Sequence, residues 1–344
     1  MLSCGRLGIL SNLLFFRGGP AIDESAPCEL RLARPEELAT VVRLIVTSPN
    51  GQFEEAHARE FLRLADSHRG DAGGAWIAYQ GAVPLGGALA VASPGKTMLV
   101  FTPSYLPTAT HKRLTVGAIE GLCEGAIAAG IHLAQSLIDP DDKSLQALFE
   151  QCGFSPLAEL HYLQSSGSKR AKEATLPPGL RWVTYSEERH ELFAQAIVAT
   201  YQNSLDCPGL NGLRDVRDVI EGHRATGEFD PSLWFVLLNG ETPLGVLLLS
   251  RVQRGEMMEL VYLGLTPTAR GQGLGDLLMR QALSMTVAHR QARMSLAVDA
   301  ANVPALRLYW RHGLQVIGRK RAMLRDLRRP IVHANISEVH ADSA

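Results

Sequence analysis

Apolar residues recur along the chain with two periods, and the order in which the periods alternate occurs twice. Trp76 to Tyr79 with Leu85 to Ala92, and Trp234 to Leu238 with Leu244 to Ser250, are short aliphatic and aromatic runs. Each pair is parted by a Gly-containing turn, the pattern of a β-hairpin. Met258 to Leu265 alternates aliphatic and aromatic residues and predicts a strand, ended by Pro267. Beyond it, Leu274, Leu277, Leu278, Ala282 and Met285 form one apolar stripe at helical spacing. Each half therefore reads as strand, helices, hairpin, a further strand, helix, strand, helix and final strands. The expected class is an α/β (α+β) chain, with a mixed, mainly antiparallel sheet flanked by helices in each half.

The repetition survives residue by residue. A shift of 160 lays Cys152-Gly153-Phe154 on His312-Gly313-Leu314 and Pro107-Thr108-Ala109 on Pro267-Thr268-Ala269. The same shift lays Leu114 on Leu274 and Asp139 on Asp299, while a shift of 150 lays Leu30-Arg31 on Leu180-Arg181. Between the copies, Ser165 to Glu173 followed by Pro177-Pro178-Gly179 is polar, small and proline-broken, the composition of a linker. The expected division is a tail at 1–27, a domain at 28–164, a linker at 165–178, a second domain at 179–327 and a tail at 328–344.

Charge narrows the function classes. With 34 basic against 35 acidic residues, the basic excess of a nucleic-acid binder is missing. Arg319-Lys320-Arg321 with Arg325, Arg328 and Arg329 is expected to be a solvated face. The five cysteines lack C-x-x-C spacing and the eleven histidines lack H-E-x-x-H, so no metal is expected and a reducing, cytoplasmic setting is. Leu7 to Phe16 is too short and interrupted for a good signal peptide, and no other segment approaches a membrane span.

The chemistry concentrates after the strand at 258–265. A strand, a Gly-rich loop (Thr268 to Gly275) and a helix present free backbone N–H groups and a helix dipole to an anion. Gly271, Gly273 and Gly275 allow unusual torsions and close approach of phosphate oxygens, and Arg270 adds charge. A Walker A loop fails because Asp276 follows Gly275. The G-x-G-x-x-G dinucleotide fingerprint fails because its third glycine would fall on Asp276.

The spacing R-x-x-G-x-G after hydrophobic-x-Pro, Leu265-Thr266-Pro267-Thr268-Ala269-Arg270-Gly271-Gln272-Gly273-Leu274-Gly275, resembles the hallmark of the GNAT acetyltransferase superfamily. Asn302 to Tyr309 and the ending Gly313-Leu314 resemble that family's downstream helix. The resemblance is strong over about 179–327 and weak over about 28–164, and the tandem arrangement is similar in outline to that of mycothiol synthases. It implies an acetyl-CoA-dependent N-acetyltransferase acting on a small-molecule or peptide amine, without nucleic acid or membrane as partner. It implies that the strand splays from its neighbour, so that Leu263, Gly264 and Leu265 offer backbone groups to the pantetheine arm, with Gly264 suited to a bulge. The amides of Gln272 to Gly275, Leu274 included, would hold the pyrophosphate. Tyr309 would protonate the leaving thiolate, Asn302 would contact the cosubstrate or cap a helix, and Glu259 would act as general base or as a structural acid.

Under the 160-residue shift Glu259, Arg270, Gly273, Gly275, Asn302 and Tyr309 become Leu99, Thr110, Arg113, Thr115, Asp142 and Phe149. The first copy is thus expected to keep the fold and lose the site. Tyr201 to Gly212, polar and turn-rich, is the expected acceptor wall. Within or beside it, Asp206 is suited to an ammonium, and His223 or Arg224 to an acidic group. Two other readings stand beside catalysis with acetyl-CoA: a non-catalytic CoA-binding scaffold, and a transferase using another acyl donor.

Overall fold

The computed structural model describes residues 26–48, 74–165, 175–252 and 256–330. The stretch weighed for targeting, residues 166–174 of the expected linker and residues 331–344 lie outside the described residues. The chain forms two compact units. One runs from Leu157 to Ala322 and includes Ser93–Gly95; the other takes the preceding residues up to Pro156 and those from Met323 on.

In the unit containing Pro156, β1 (Glu29–Leu32), β2 (Gly74–Gln80), β3 (Val83–Ser93), β4 (Thr97–Phe101) and β5 (Leu133–Ile138) are neighbours in that order. Helices α1 (Leu38–Val46), α2 (Ala109–Ala128) and α3 (Lys143–Gln151) cover them. In the 157–322 unit the sheet order is β6 (Ser155–Ser165), β11 (Arg293–Asp299), β10 (Met257–Leu265), β9 (Thr242–Val252), β8 (Trp234–Asn239) and β7 (Leu180–Thr184). Its helices are α4 (His190–Tyr201), α5 (Val216–Arg224), α6 (Leu274–Ala288) and α7 (Val303–Arg311), and β12 (Leu314–Asp326) follows. Among the described residues no helix is long and apolar enough to cross a membrane.

Strand alternation sorts the core of the 157–322 unit into two layers. Phe235, Leu237, Met258 and Leu260 face Leu277, Leu278, Leu306 and Tyr309 of α6 and α7. Trp234, Val236 and Leu248 face Phe193, Ile197 and Ile220 of α4 and α5. The repeat is visible in the register: Thr97–Leu99 pairs in parallel with Leu133–Gln135, and Met257–Glu259 pairs likewise with Arg293–Ser295, each 160 residues on.

Three details could not be read along the chain. First, strand β6 follows α3, yet its residues Leu160 to Gln164 pair with Asp299 to Ser295 of β11. Met323 and Leu327, past the second copy's last helix, belong to the unit containing Pro156 and pack there with Ile119 and Phe149. Each unit therefore takes a closing strand from the other half of the sequence. Second, the bulge expected at Gly264 sits three residues earlier, with the β9 register shifting between Leu260 and Tyr262. The extra residue resets the alternation, so that Val261 and Tyr262 both join the α4/α5 layer while Leu263 and Leu265 join the α6 layer. Third, the basic cluster is not a uniformly solvated face. Arg325 is buried and donates from Nη1 to the carbonyl of Cys152 at 3.0 Å, while Arg328 pairs with Asp326 at 2.8 Å.

Candidate active site

Strand β10 keeps its β9 partner through Leu265↔Gly245 but loses β11 after Glu259↔Ser295. Strand β11 continues along β6 as far as Asp299. Beyond Glu259 the two parallel strands therefore separate, leaving the β11-facing edge of Leu260–Leu265 without a strand partner. A single 3-10 turn (Pro267–Ala269) follows, and then the glycine loop.

Gly271 (φ 75°) and Gly273 (φ 77°) lie in the left-handed region, where a side chain is strained. A Cβ built on either would meet no atom within 4 Å, so the loop opens onto free space. Gly273 is the N-cap of α6 and supplies no side chain to it. Among the described residues the amide N–H groups of Gly271, Gln272, Gly273, Leu274 and Gly275 have no hydrogen-bond acceptor. Five unpaired donors at the positive end of a four-turn helix form an open cradle able to hydrogen-bond an anion.

The third glycine also serves helix packing. Gly275 is inside α6, and a Cβ there would sit 3.2 Å from Leu308 Cδ2, so its small size lets α6 close on α7. Asp276 is turned aside: its carboxylate accepts from Arg311 Nη2 at 3.1 Å and lies 3.0 Å from His312 Nε2. Burial would raise its pKa, but these partners win and hold it below the ordinary value.

Arg270 does not point its guanidinium into the cradle. Nε donates to Leu265 O (3.1 Å), Nη2 to Thr200 O (3.0 Å) and Gln202 O (2.8 Å), and Nη1 to Asn203 O (2.9 Å). These carbonyls include the C-terminal end of α4, which no further helical turn satisfies. Arg270 thus fastens the end of β10 to the end of α4. Arg270→Ala is expected to lower stability by about 2 kcal/mol, read by thermal denaturation, because several charged hydrogen bonds are lost together. Unchanged stability would mean that the clamp is incidental.

Glu259 is buried (3% exposed) on β10, opposite Ser250 and Ser295. Alternation with Met258 and Leu260 places it on the α4/α5 side. Tyr309 is buried within the α6/α7 layer, and burial, with the Asp206 carboxylate adding, holds its phenol well above the ordinary pKa. Asn302 caps α7, its Oδ1 accepting from Ala305 N–H at 3.3 Å, and so fixes the helix that carries Tyr309.

Beside β10 lies a cleft of about 410 Å³, whose lining includes Tyr201, Asp206, Cys207, Asn211, Arg214 and Tyr262. Much of the segment expected as the acceptor wall, Tyr201 to Gly212, lines this cleft. Thr200 Oγ1 donates to Ile197 O (2.7 Å), so Tyr262 Oη must donate to Thr200 Oγ1 (2.7 Å). Gly264 leaves room for this pair, since a Cβ there would collide with Tyr262 Oη and Thr200. Asp206 and Asp299 are interlocked: Asp299 N–H donates to Asp206 Oδ1 (3.3 Å), and Cys207 N–H to Asp299 Oδ2 (3.1 Å). That grip holds Cys207 in the left-handed region (φ 47°).

The suggested anion ligands His223 and Arg224 do not fit that role. His223 is 3% exposed and stacked on Tyr262 at 5.7 Å, and burial keeps its ring neutral. Arg224 pairs with Glu187 at 3.0 Å and covers the Phe229 ring, away from the cleft lining. The cation in the cleft is Arg214, which no periodicity or motif singles out.

At the matching place the other unit has no such loop. The residues matching Thr268–Gly273 are Thr108–Arg113, and there α2 starts at Ala109 with Thr108 as its N-cap. Thr108 Oγ1 accepts from His111 N–H, consuming a first-turn donor, and Thr110 and Thr115 are buried. Phe149, at the place of Tyr309, is fully buried against Phe154.

The acetyltransferase (GNAT) family matches residues 199–314, which run from the end of α4 to the start of β12. A mycothiol acetyltransferase of Beutenbergia cavernae is 32% identical over 218 residues, spanning 60% of this chain and 71% of that protein. A GCN5-related N-acetyltransferase from Sphaerobacter thermophilus shares the fold, with a TM-score of 0.62 at 18% identity over 89% of this chain and 98% of its own. A tandem GNAT protein from the clavulanic acid biosynthesis pathway does so at a TM-score of 0.51 and 13% identity, over 88% and 99% of the two chains.

Proposed function

The chain belongs to the acetyltransferase (GNAT) family and is an N-acetyltransferase; from that premise we propose that it moves an acetyl group from acetyl-CoA to the amine of a small molecule, in a ternary complex on the 157–322 unit. The observation that carries this reading is the separation of β10 from β11 directly before a loop with five unpaired amides. An open strand edge and an anion cradle in sequence suit a pantetheine arm ending in a diphosphate.

Acetyl-CoA supplies an acyl group activated as a thioester. The protein does the rest. Main-chain groups of Leu263, Gly264 and Leu265 bind the arm, and the amides of Gly271 to Gly275 bind the diphosphate, with Arg270 holding the strand end that leads into them. Asn302 orients α7 so that Tyr309 protonates the departing sulfur. Glu259 removes a proton from the attacking nitrogen through a water relay. Holding both reactants in one cleft supplies much of the acceleration.

Titration calorimetry with acetyl-CoA and a thiol-release assay over a panel of amines test the proposal together. Saturable binding plus amine-dependent thiol release supports it. Absence of binding at millimolar acetyl-CoA defeats the donor assignment. Binding without release for any amine defeats the assignment of Glu259 and Tyr309.

A further inference from the structure

Two opposite charges, Asp206 and Arg214, line the cleft beside Tyr262. Asp206 Oδ1 accepts the Asp299 amide, and its carboxylate has lone pairs to spare. Its pKa lies above the ordinary value, chiefly because it is buried, and the neighbouring Asp299 carboxylate adds to the effect. Arg214 donates from Nη2 to the carbonyl of Asp218 at 3.1 Å, while its buried Nε has no partner among the described residues. Burial depresses the guanidinium despite the nearby Tyr201 phenol and Asp218 carboxylate. Its surroundings therefore under-compensate the charge, and a buried donor without an acceptor is costly.

Both charges act on the same ring. The Tyr201 phenol, raised first by burial, is lowered by Arg214 and raised by Asp206, which sets the two side chains within electrostatic reach of it. The site also makes room for the cation: Gly222 has no Cβ, and one built there would lie 2.8 Å from Arg214 Nη2. His223 and Tyr262, close to these charges, are neutral and stacked on each other. A cleft of about 410 Å³ suits a small molecule better than a folded segment.

We propose that the acceptor is a small zwitterion, with its ammonium held at Asp206 and an anionic group, carboxylate or phosphate, held at Arg214, the two flanking Tyr201. This rests on the donor site proposed above. The protons balance. Asp206 takes one proton from the ammonium and passes it to solvent. The neutral nitrogen then bonds to the acyl carbon as the C–S bond breaks, its second proton going to Glu259 while Tyr309 protonates the sulfur. Glu259 then gives its proton up to solvent and Tyr309 regains one from it, so that one proton is released per turnover.

The test is kcat/KM on matched amines, by thiol release. Amino acids against their carboxamides form the carboxylate arm, and O-phosphoethanolamine against ethanolamine forms the phosphate arm. The expected result is that the anionic member is favoured at least about tenfold in one arm, which identifies the group. Arg214→Gln should bring that ratio to within about twofold, with acetyl-CoA affinity kept as the sign of an intact fold. Gly222→Ala, which displaces the guanidinium without removing its charge, should also shrink the ratio. Less than about a tenfold preference for the anionic member in both arms overturns the inference, and so does Arg214→Gln lowering both members alike. Amine-dependent thiol release without that preference would overturn this inference while sparing the transferase reading. Loss of acetyl-CoA binding in the wild-type protein would remove both.

Discussion

Gly273→Arg is expected to weaken acetyl-CoA binding by at least about 100-fold, or about 2.7 kcal/mol, with the fold retained. The backbone at Gly273 is left-handed, so any side chain brings strain of about 1–2 kcal/mol. A Cβ there meets no neighbour, so the new side chain does not break the core. It projects instead from the N-cap of α6, across the five amides from Gly271 to Gly275. Calorimetry reads the affinity, and circular dichroism with a melting curve reads the fold. Gly240 is the control: it is also left-handed (φ 58°) with open space about it, but it lies in the turn between β8 and β9. Gly240→Ala should carry comparable strain and leave binding untouched. Full affinity in Gly273→Arg would sink the cradle and with it the donor assignment.

Tyr309→Phe is expected to lower kcat by roughly 10²- to 10³-fold, in the range for loss of a positioned general acid, with little change in acetyl-CoA affinity. Stability should change little, because the other copy buries Phe149 at the matching place without a hydroxyl. The pH profile gives a second check. Burial holds the Tyr309 phenol above its ordinary value, so it stays protonated and able to donate up to at least about pH 10. No alkaline loss of rate below that pH should trace to this group. By the same sign, its contribution to stability is complete below the unfolded value of about 10 and fades only as pH rises through and beyond it. A variant retaining full kcat would reduce Tyr309 to a core aromatic.

The loop at 268–275 was legible because everything that defines it is local. A strand period, a proline, glycines at a fixed spacing and a helical stripe all fall within some thirty residues, and backbone torsion depends on immediate neighbours. The fate of each side chain was less local. Gly275 shares its spacing with Gly271 and Gly273 but serves helix packing, because Leu308 faces it from α7. Arg270 carries the expected charge and directs it to carbonyls some seventy positions earlier. The bulge fell at Val261, where β10 carries one residue more than its partner β9, a mismatch that exists only once the two strands pair. Arg214 carried no signal at all, since an arginine before a short amphipathic helix is ordinary until Tyr201, Tyr262 and Asp206 surround it.

The order of amino acids alone determined the doubled α/β plan, the 160-residue repeat, the glycine loop and the loss of that loop in the first copy. Each follows from torsional preference and from hydrophobic period, which act over a few residues. Only the folded chain decided which half of the sequence closes which sheet, where β10 leaves β11, and which charges meet in the cleft. Those outcomes depend on atoms tens to more than a hundred residues apart, and their energies exist only once burial has brought them together.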